Sequence, residues 1–565
     1  MLLVAMSCGC NQAHSYEQPS TSAFRYREVY LPEAIGEAAN SLGLNTLDED
    51  WGIWGHNIGK VLPEKPSESV YAKVNGNTIK SQFCFTSNRL YEYICDYIDD
   101  HYRGDEQVRF AIIPNDNDVV CLCVRCIDAG NTKVDASPAV FSLIRRLAEK
   151  YPHHIFYTSD YRTTRRLPEE DMPENTGVMV SAMPYPFTYG NTPEEQSFMN
   201  TLSGWSAKTN KILVWDYINN FDDYFTPYPI FGVMQNRLKN YRDHKVTAVF
   251  LNGSGTEASS FSRLKSVVLA ALTENPDVDW RELLMSKAKE MYPVSGETVA
   301  NFILAQEDYV KDTGASLPLY EGVPVAKQTY LPEELFSDFF NKLSRLRLMT
   351  TGEERKSLDK LLAELAMTQL ELKRINGDLS GSESLLEQLE SLQEMNIESY
   401  SESGWRIDNY INDYHFILQH EKETGGKNRL KDTQLVAMTP LDPDYSDVSV
   451  LTDGVLAIPS NYHNGHLITS PEDFTSLAIP YKEGAKKLVV WLTYNPAYRI
   501  YLPEGVTLSA QGMEKVFKTV EYPKERNGHC RLEFDLPSNI NGTMILNLYK
   551  DPETKSMAIE EIELI

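Results

Sequence analysis

Between Phe24 and Leu272 short apolar, β-favouring runs alternate with stretches whose apolar positions recur every three or four residues. The first spacing predicts strands and the second amphipathic helices. The run from Val108 to Ile113 is apolar almost throughout, as in a parallel strand covered on both faces, and Pro114 ends it by removing a backbone donor. Further strands are predicted at Phe24–Tyr30, Trp51–Asn57, His154–Tyr161, Gly177–Met183, Ile212–Tyr217 and Thr247–Leu251. Helices are predicted at Pro32–Leu42, Ser87–His101, Pro138–Lys150, Pro193–Ala207, Ile230–His244 and Ser260–Leu272. Seven or more strands alternating with helices over about 290 residues predict an α/β fold, a (β/α)8 TIM-type barrel across residues 23–312.

Past Asp312 the spacing becomes helical throughout, as in Leu335, Phe339, Leu343 and Leu346, or Ile407, Tyr410, Ile411, Tyr414 and Leu418. Residues 313–430 are expected to form a helical bundle ending in a polar linker over 421–431, since Gly352, Gly377 and Gly381 cut the pattern too short for a coiled coil. From residue 431 to 565 short alternating runs with turn signals predict a β-sandwich.

The chain of 565 residues carries 54 basic against 80 acidic residues, a net charge of −26, so it lacks the basic footprint of a nucleic-acid or anionic-lipid binder. With 32 Tyr and 7 Trp it is better suited to a neutral, hydroxyl-rich ligand. No cofactor is implied. Residues 1–22 open with Met-Leu-Leu-Val-Ala-Met-Ser-Cys8-Gly-Cys10 and continue as a Ser/Gln/Thr-rich tether. This resembles the end of a bacterial lipoprotein signal, with Cys8, ahead of Cys10, as the lipidated residue and the outer membrane as the anchorage of a cell-surface protein.

In a barrel, polar groups at strand carboxyl ends converge on one mouth. Those ends carry Arg27, Glu28, Trp54, His56, Asn57, Asn115, Asp116, Asp160, Tyr161, Tyr185, Trp215, Asp216, Tyr217, Asn252 and Glu257. Aromatic faces suit the CH faces of sugars, and carboxylates supply the acid and stabilising groups of glycosidic cleavage. A single Asp at a strand end serves as readily as a helix cap, so the weight rests on several converging.

The motifs Gln82-Phe-Cys-Phe-Thr-Ser-Asn88, Ile113-Pro-Asn-Asp-Asn117 with Cys121, Cys123 and Cys126, Tyr161-Arg-Thr-Thr with Pro168, Trp205, and Val214-Trp-Asp-Tyr-Ile-Asn-Asn-Phe221 occur in order over residues 24–310. They resemble glycoside hydrolase family 163, a Bacteroides-rich family long described as an uncharacterised domain distantly similar to α-glucuronidases. Many of its members carry a further α/β domain ahead of the barrel, whereas the present sequence begins almost at the expected barrel. The resemblance implies an endo-β-N-acetylglucosaminidase that cuts the chitobiose core of complex N-glycans on glycoproteins with retention, the substrate's acetamido oxygen acting as nucleophile. Such a reaction needs one carboxylate to polarise the amide N–H and one carboxylic acid for the leaving oxygen. Asp160 is the expected polarising group. Glu195, then Glu194, is the expected acid, although Thr192-Pro-Glu-Glu is also an ordinary helix start, and Asp116 and Asp216 stand in reserve.

Two other readings remain open: an exo-acting hexosaminidase or α-glucuronidase-like enzyme, and a non-catalytic surface glycan-binding lipoprotein. In the C-terminal segment, Leu451-Thr-Asp-Gly-Val455 and Ile500–Ser509 resemble discoidin-type modules, many of which bind carbohydrate. Cys84, Cys121, Cys123 and Cys126 supply enough thiols for a structural zinc site. Their tight spacing and the oxidising surroundings of an exported protein favour a disulfide or free thiols instead.

Overall fold

The computed structural model describes residues 22–565 apart from 191, 462, 464–466, 470–471, 521–527 and 551–555, so Cys8 and Cys10 lie outside the described residues. Among the described residues, nine strands precede residue 253: β1 (Tyr26–Tyr30), β2 (Trp51–Ile53), β3 (Tyr71–Val74), β4 (Asn77–Phe83), β5 (Arg109–Ala111), β6 (Ile155–Asp160), β7 (Thr176–Ser181), β8 (Ile212–Tyr217) and β9 (Ala248–Asn252). Seven of them form a parallel sheet in the order β1-β9-β8-β7-β6-β5-β2, while β3 and β4 pair only with each other as a hairpin. The hairpin has no counterpart in the sequence-based assignment.

The parallel sheet is curled. Tyr26 on one edge strand and Trp51 on the other meet edge to face with centroids 6.2 Å apart, and the inward side chains of all seven strands form one small core around Tyr157, Met179, Leu213 and Phe250. The expected closed (β/α)8 barrel is therefore corrected to a seven-stranded half-barrel, because β1 and β2 do not pair. The open edge of β1 finds a partner in the loop before β2: the Arg27 N–H donates to Asn45 Oδ1 at 3.0 Å, and the Asn45 N–H donates to the Arg27 carbonyl at 2.8 Å. The Leu47 N–H also reaches Glu28 Oε1 at 3.3 Å. With its ladder groups satisfied by a loop, β1 needs no eighth strand.

The Pro193–Ser206 and Phe231–Asp243 helices cover the outer face of the sheet beside β8, and the Ser137–Lys150 helix packs against β6 and β7. The predicted helix at residues 32–42 is broken into a 3-10 turn, Pro32–Ala34, and a short helix, Glu37–Ser41, because Gly36 between them has φ +57°. Beyond Thr313 follow helices Val323–Thr329, Glu333–Arg347, Gly352–Ile375, Ser382–Glu394 and Ile407–Thr424. Their apolar faces merge with the outer core of β7 to β9, and the same cluster takes in Leu456, Ile458, Val489 and Trp491 from the C-terminal region.

That region has β10 (Val436–Ala437), β11 (Ile468–Thr469), β12 (Phe474–Pro480), β13 (Lys487–Tyr494), β14 (Gly505–Gln511), β15 (Met513–Thr519), β16 (Gly528–Asp535), β17 (Asn541–Tyr549) and β18 (Ala558–Leu564). They form two antiparallel sheets, β10-β12-β17-β14-β15 and β11-β18-β13-β16, which share a core of Leu477, Val490, Val506, Leu546 and Ile562.

Candidate active site

Successive residues of a strand face opposite sides of the sheet, and this parity decides what the strand ends present. On β6, Tyr157 and Ser159 point into the half-barrel and Asp160 points out; on β8, Leu213, Trp215 and Tyr217 point in and Asp216 points out. A cavity of about 230 Å³ opens at the carboxyl ends of the strands. It is lined by His56, Ile113 and Asp116 on the β2–β5 side, Ser159, Tyr161, Met179, Ser181 and Met183 from β6 and β7, and Trp215, Tyr217 and Asn252 from β8 and β9. Tyr320 and Glu402 complete it from the helical region.

The aromatic floor is fixed by stacking. Trp54 lies nearly parallel to Trp215, with 13° between planes and 5.2 Å between centroids, and Phe250 meets both edge-on. Gly55, at φ +57°, turns the chain between Trp54 and His56. His56 then contacts the Pro114 carbonyl through Nδ1 at 2.5 Å.

Asp116 is held by Arg162, whose Nε lies 2.7 Å from Asp116 Oδ1 and whose Nη1 reaches Asp118 at 3.2 Å. Arg162 follows Tyr161 in a left-handed conformation, φ +45°, which turns its side chain back over the strand end. A non-glycine residue pays for that conformation, and such positions cluster at functional sites. Glu402 enters from the loop before the Ile407–Thr424 helix. Its N–H donates to the Phe221 carbonyl at 2.8 Å, which ties the loop to the segment after β8, and Tyr320 Oη donates to its Oε2 at 2.7 Å. A second cavity of about 260 Å³ shares Asn252 and Glu402 as lining residues and lies beside Tyr30, Tyr224, Ser254 and Glu257, where Ser399 Oγ donates to Glu257 Oε2 at 2.7 Å.

Of the residues expected at the mouth, the structure brings His56, Asp116, Tyr161, Trp215, Tyr217 and Asn252 together on the cavity wall, with Trp54 behind Trp215. Asn115 stands apart: its side chain donates to the Ser81 carbonyl and its backbone is bracketed by Gln82, so it fastens the β4 hairpin to the β5 loop. The expected catalytic carboxylates are not on the cavity, and their placement is corrected here. Asp160 faces the helical layer, where it accepts the Trp205 indole N–H at 2.6 Å, and burial pushes its carboxyl up to about 6. Asp216 is fully buried on the same outer side, taking hydrogen bonds from Arg237 Nη1 at 2.9 Å and Tyr241 Oη at 2.5 Å. Glu195 receives Arg237 Nη2 at 3.4 Å and lines a separate cavity with Lys239 and Asn240. Its N–H is capped by Thr192 Oγ1 at 3.1 Å, the helix-start geometry, and burial raises its carboxyl. Glu194 lies exposed in that first turn.

The contributions of Tyr320 and Glu402 were not anticipated. They lie beyond the barrel in sequence, and the only local signal was a polar stretch rich in aromatics, Tyr400-Ser-Glu-Ser-Gly-Trp405, between two helical patterns.

The sequence profile of a domain of unknown function, DUF4838, matches residues 20–303. The chain belongs to this family. The DUF4838 region thus spans the half-barrel and the cavity walls it supplies, and Tyr320 and Glu402 lie outside it. No curated protein gives a significant match. Among solved structures, the DUF4838 chain is similar to a family GH115 4-O-methyl-α-glucuronidase with specificity for decorated arabinogalactans, at TM-score 0.38 and 11% identity over 85% of this chain and 67% of that one. It is also similar to a GH138 enzyme targeting pectin rhamnogalacturonan II, at TM-score 0.26 and 9% identity over 88% and 79%. A fucose binding module of Streptococcus pneumoniae matches at TM-score 0.19 and 14% identity over 24% of this chain and 94% of the module.

Proposed function

We propose that this DUF4838 protein is a glycoside hydrolase whose active site is the cavity between Asp116 and Glu402. The observation that carries the reading is that these two carboxylates line one cavity together with Tyr161, Trp215 and Tyr217. Aromatic faces would hold the apolar side of a sugar ring, Asn252, His56 and the two serines would read its hydroxyls, and the carboxylates would do the chemistry. The finer proposal is endo-cleavage of the chitobiose core of complex N-glycans. The neighbouring cavity, which shares Asn252 and Glu402 as lining residues, supports an endo mode, since a chain running through the site needs room on both sides of the cut.

In the substrate-assisted version, Asp116 accepts the acetamido N–H while the acetamido oxygen attacks the anomeric carbon. The glycosidic C–O bond breaks and Glu402 gives its proton to the leaving oxygen. Water then opens the cyclic intermediate and returns a proton to Glu402, so configuration is retained. Asp160, Glu195 and Asp216 act at one remove, by fixing the outer face of the sheet that presents these groups. Anchorage to the outer membrane through Cys8 remains part of the proposal on sequence grounds, and the mass of the mature N-terminal peptide tests it.

The deciding experiment is product mass. The purified chain is incubated with a glycoprotein bearing biantennary complex N-glycans, and a released glycan that leaves one GlcNAc on the protein supports the endo reading. Release of single monosaccharides supports the exo-acting alternative. The displacement of Asp160, Glu195 and Asp216 from the cavity favours the non-catalytic glycan-binding reading as second choice, and binding without release would establish it.

A further inference from the structure

Four cysteines from two segments converge about the β3–β4 hairpin. Cys84 follows β4, Cys121 and Cys123 lie in the loop after β5, and Cys126 sits in the short Val124–Asp128 helix. Their Sγ atoms all lie within 4.8 Å of one another, and all four cysteines are free thiols. Cys84 Sγ is 3.7 Å from both Cys123 Sγ and Cys126 Sγ. A disulfide requires about 2.05 Å. A tetrahedral zinc with bonds of about 2.3 Å places its sulfurs about 3.8 Å apart. The two separations from Cys84 match the edge of such a tetrahedron, and the remaining ones lie within 4.8 Å.

We infer that Cys84, Cys121, Cys123 and Cys126 form a structural tetrathiolate site for zinc. The surroundings fit anionic sulfur. The Lys73 N–H points at Cys121 Sγ at 3.2 Å, and Thr86 Oγ1 lies 3.1 Å from Cys126 Sγ, two donors placed as the outer shell of a thiolate–metal site requires. Three of the sulfurs belong to buried residues and Cys123 is half-buried, so the coordination shell is closed to substrate and the role is structural.

The site has work to do in this fold. The hairpin pairs with no strand of the half-barrel, and the loop after β5 runs from Asp116 to Cys123 without helix or strand. What ties the hairpin to that loop otherwise is a set of hydrogen bonds: Gln82 Nε2 donates to the Asn115 carbonyl and Asn117 Oδ1 at 3.1 Å each, the Asn115 N–H donates to Gln82 Oε1 at 3.0 Å, and the Leu122 N–H donates to the Lys73 carbonyl at 2.7 Å. A metal joining Cys84 to the other three would clamp hairpin and loop into one unit, and the loop carries Asp116. This inference rests on the cysteine cluster alone and is independent of the glycosidase reading.

The test is metal content of the full chain, produced with zinc in the medium and purified under a phosphine reductant. One zinc per chain is expected, retained through dialysis against EDTA and released when a mercurial titrates the thiols. Replacement by Co2+ is expected to give the sulfur-to-metal charge-transfer band and the intense visible bands of a tetrahedral thiolate site. Cys123→Ser should lose the charge-transfer intensity or the metal, while Cys95→Ser, whose thiol is buried on the Asn88–His101 helix away from the cluster, should keep both. A chain without stoichiometric metal, cobalt spectra lacking tetrahedral thiolate bands, or peptide mapping that finds a disulfide among the four would each overturn the inference. The cobalt spectrum of the unmutated chain decides the matter even if Cys123→Ser fails to fold.

Discussion

A one-residue step along a strand separates the groups that meet ligand from those that hold the sheet. Ser159, Tyr161, Trp215 and Tyr217 face the cavity, while Asp160 and Asp216 between them face helices. Asp116→Asn and Glu402→Gln are therefore expected to lower kcat/KM by about 100-fold or more, the scale of a lost acid or polarising group, with little change in melting temperature. Asp160→Ala should do the reverse. It leaves the Trp205 indole N–H without an acceptor at a cost of about 1–3 kcal/mol, read as a lower denaturation midpoint with activity kept in the folded fraction. If Asp160→Ala proves inactive but fully stable, the assignment of the cavity carboxylates is wrong.

At the scale of elements, the β8 strand and the Pro193–Ser206 and Phe231–Asp243 helices are joined by a buried Asp216–Arg237–Glu195 triad. The Arg237 side chain lies over the Phe187 ring at 4.0 Å, so its charge is surrounded by apolar as well as acidic neighbours. Arg237→Met would strand two buried carboxylates and is expected to cost about 3–5 kcal/mol in urea unfolding. Adding Asp216→Asn and Glu195→Gln should recover much of that loss, because the price lies in unpaired charge. The seam between β1 and β2 is the other element-scale feature. Asn45→Ala removes the acceptor for the Arg27 N–H and should destabilise by about 1–2 kcal/mol, concentrated in hydrogen exchange of β1.

For the whole molecule, burial leaves several carboxyls poised near neutrality. Asp222 is pushed up to about 7 and Glu364 to about 7, each by burial first, and Asp160 and Asp223 to about 6 by the same cause. In the unfolded chain these groups titrate near 4. Between pH 4 and 7 the folded state therefore holds more protons than the unfolded state, and stability falls as pH rises through that window. Burial acts in the opposite sense on His463, pushed down to about 4, and on Lys265, pushed down to about 7, and these two offset part of the effect of the four carboxyls. Thermal melts should show a higher midpoint at pH 5 than at pH 8. Asp222→Asn should raise the midpoint at pH 8 and leave pH 5 nearly unchanged, since its partner His463, 3.3 Å away, is itself pushed down to about 4 by burial and brings no charge to the contact.

The sequence alone determined the alternation of parallel strands and helices, the helical stretch after residue 312 and the antiparallel sheets at the end, because each follows from the spacing of apolar side chains along a local segment. It also determined which loops could carry chemistry, since Pro114 and the aromatic and polar residues after each strand are local signals. Only the tertiary structure decided which of those residues face one another. Parity placed Asp160 and Asp216 outside, and the side chain of Asn45 took the place of an eighth strand at the seam. A loop far along the chain brought Glu402 to the cavity that Asp116 lines, and four cysteines at separate positions came within a metal's reach. Those outcomes depend on the phase of a strand, on hydrogen-bond partners distant in sequence and on packing between elements, none of which local apolar spacing encodes.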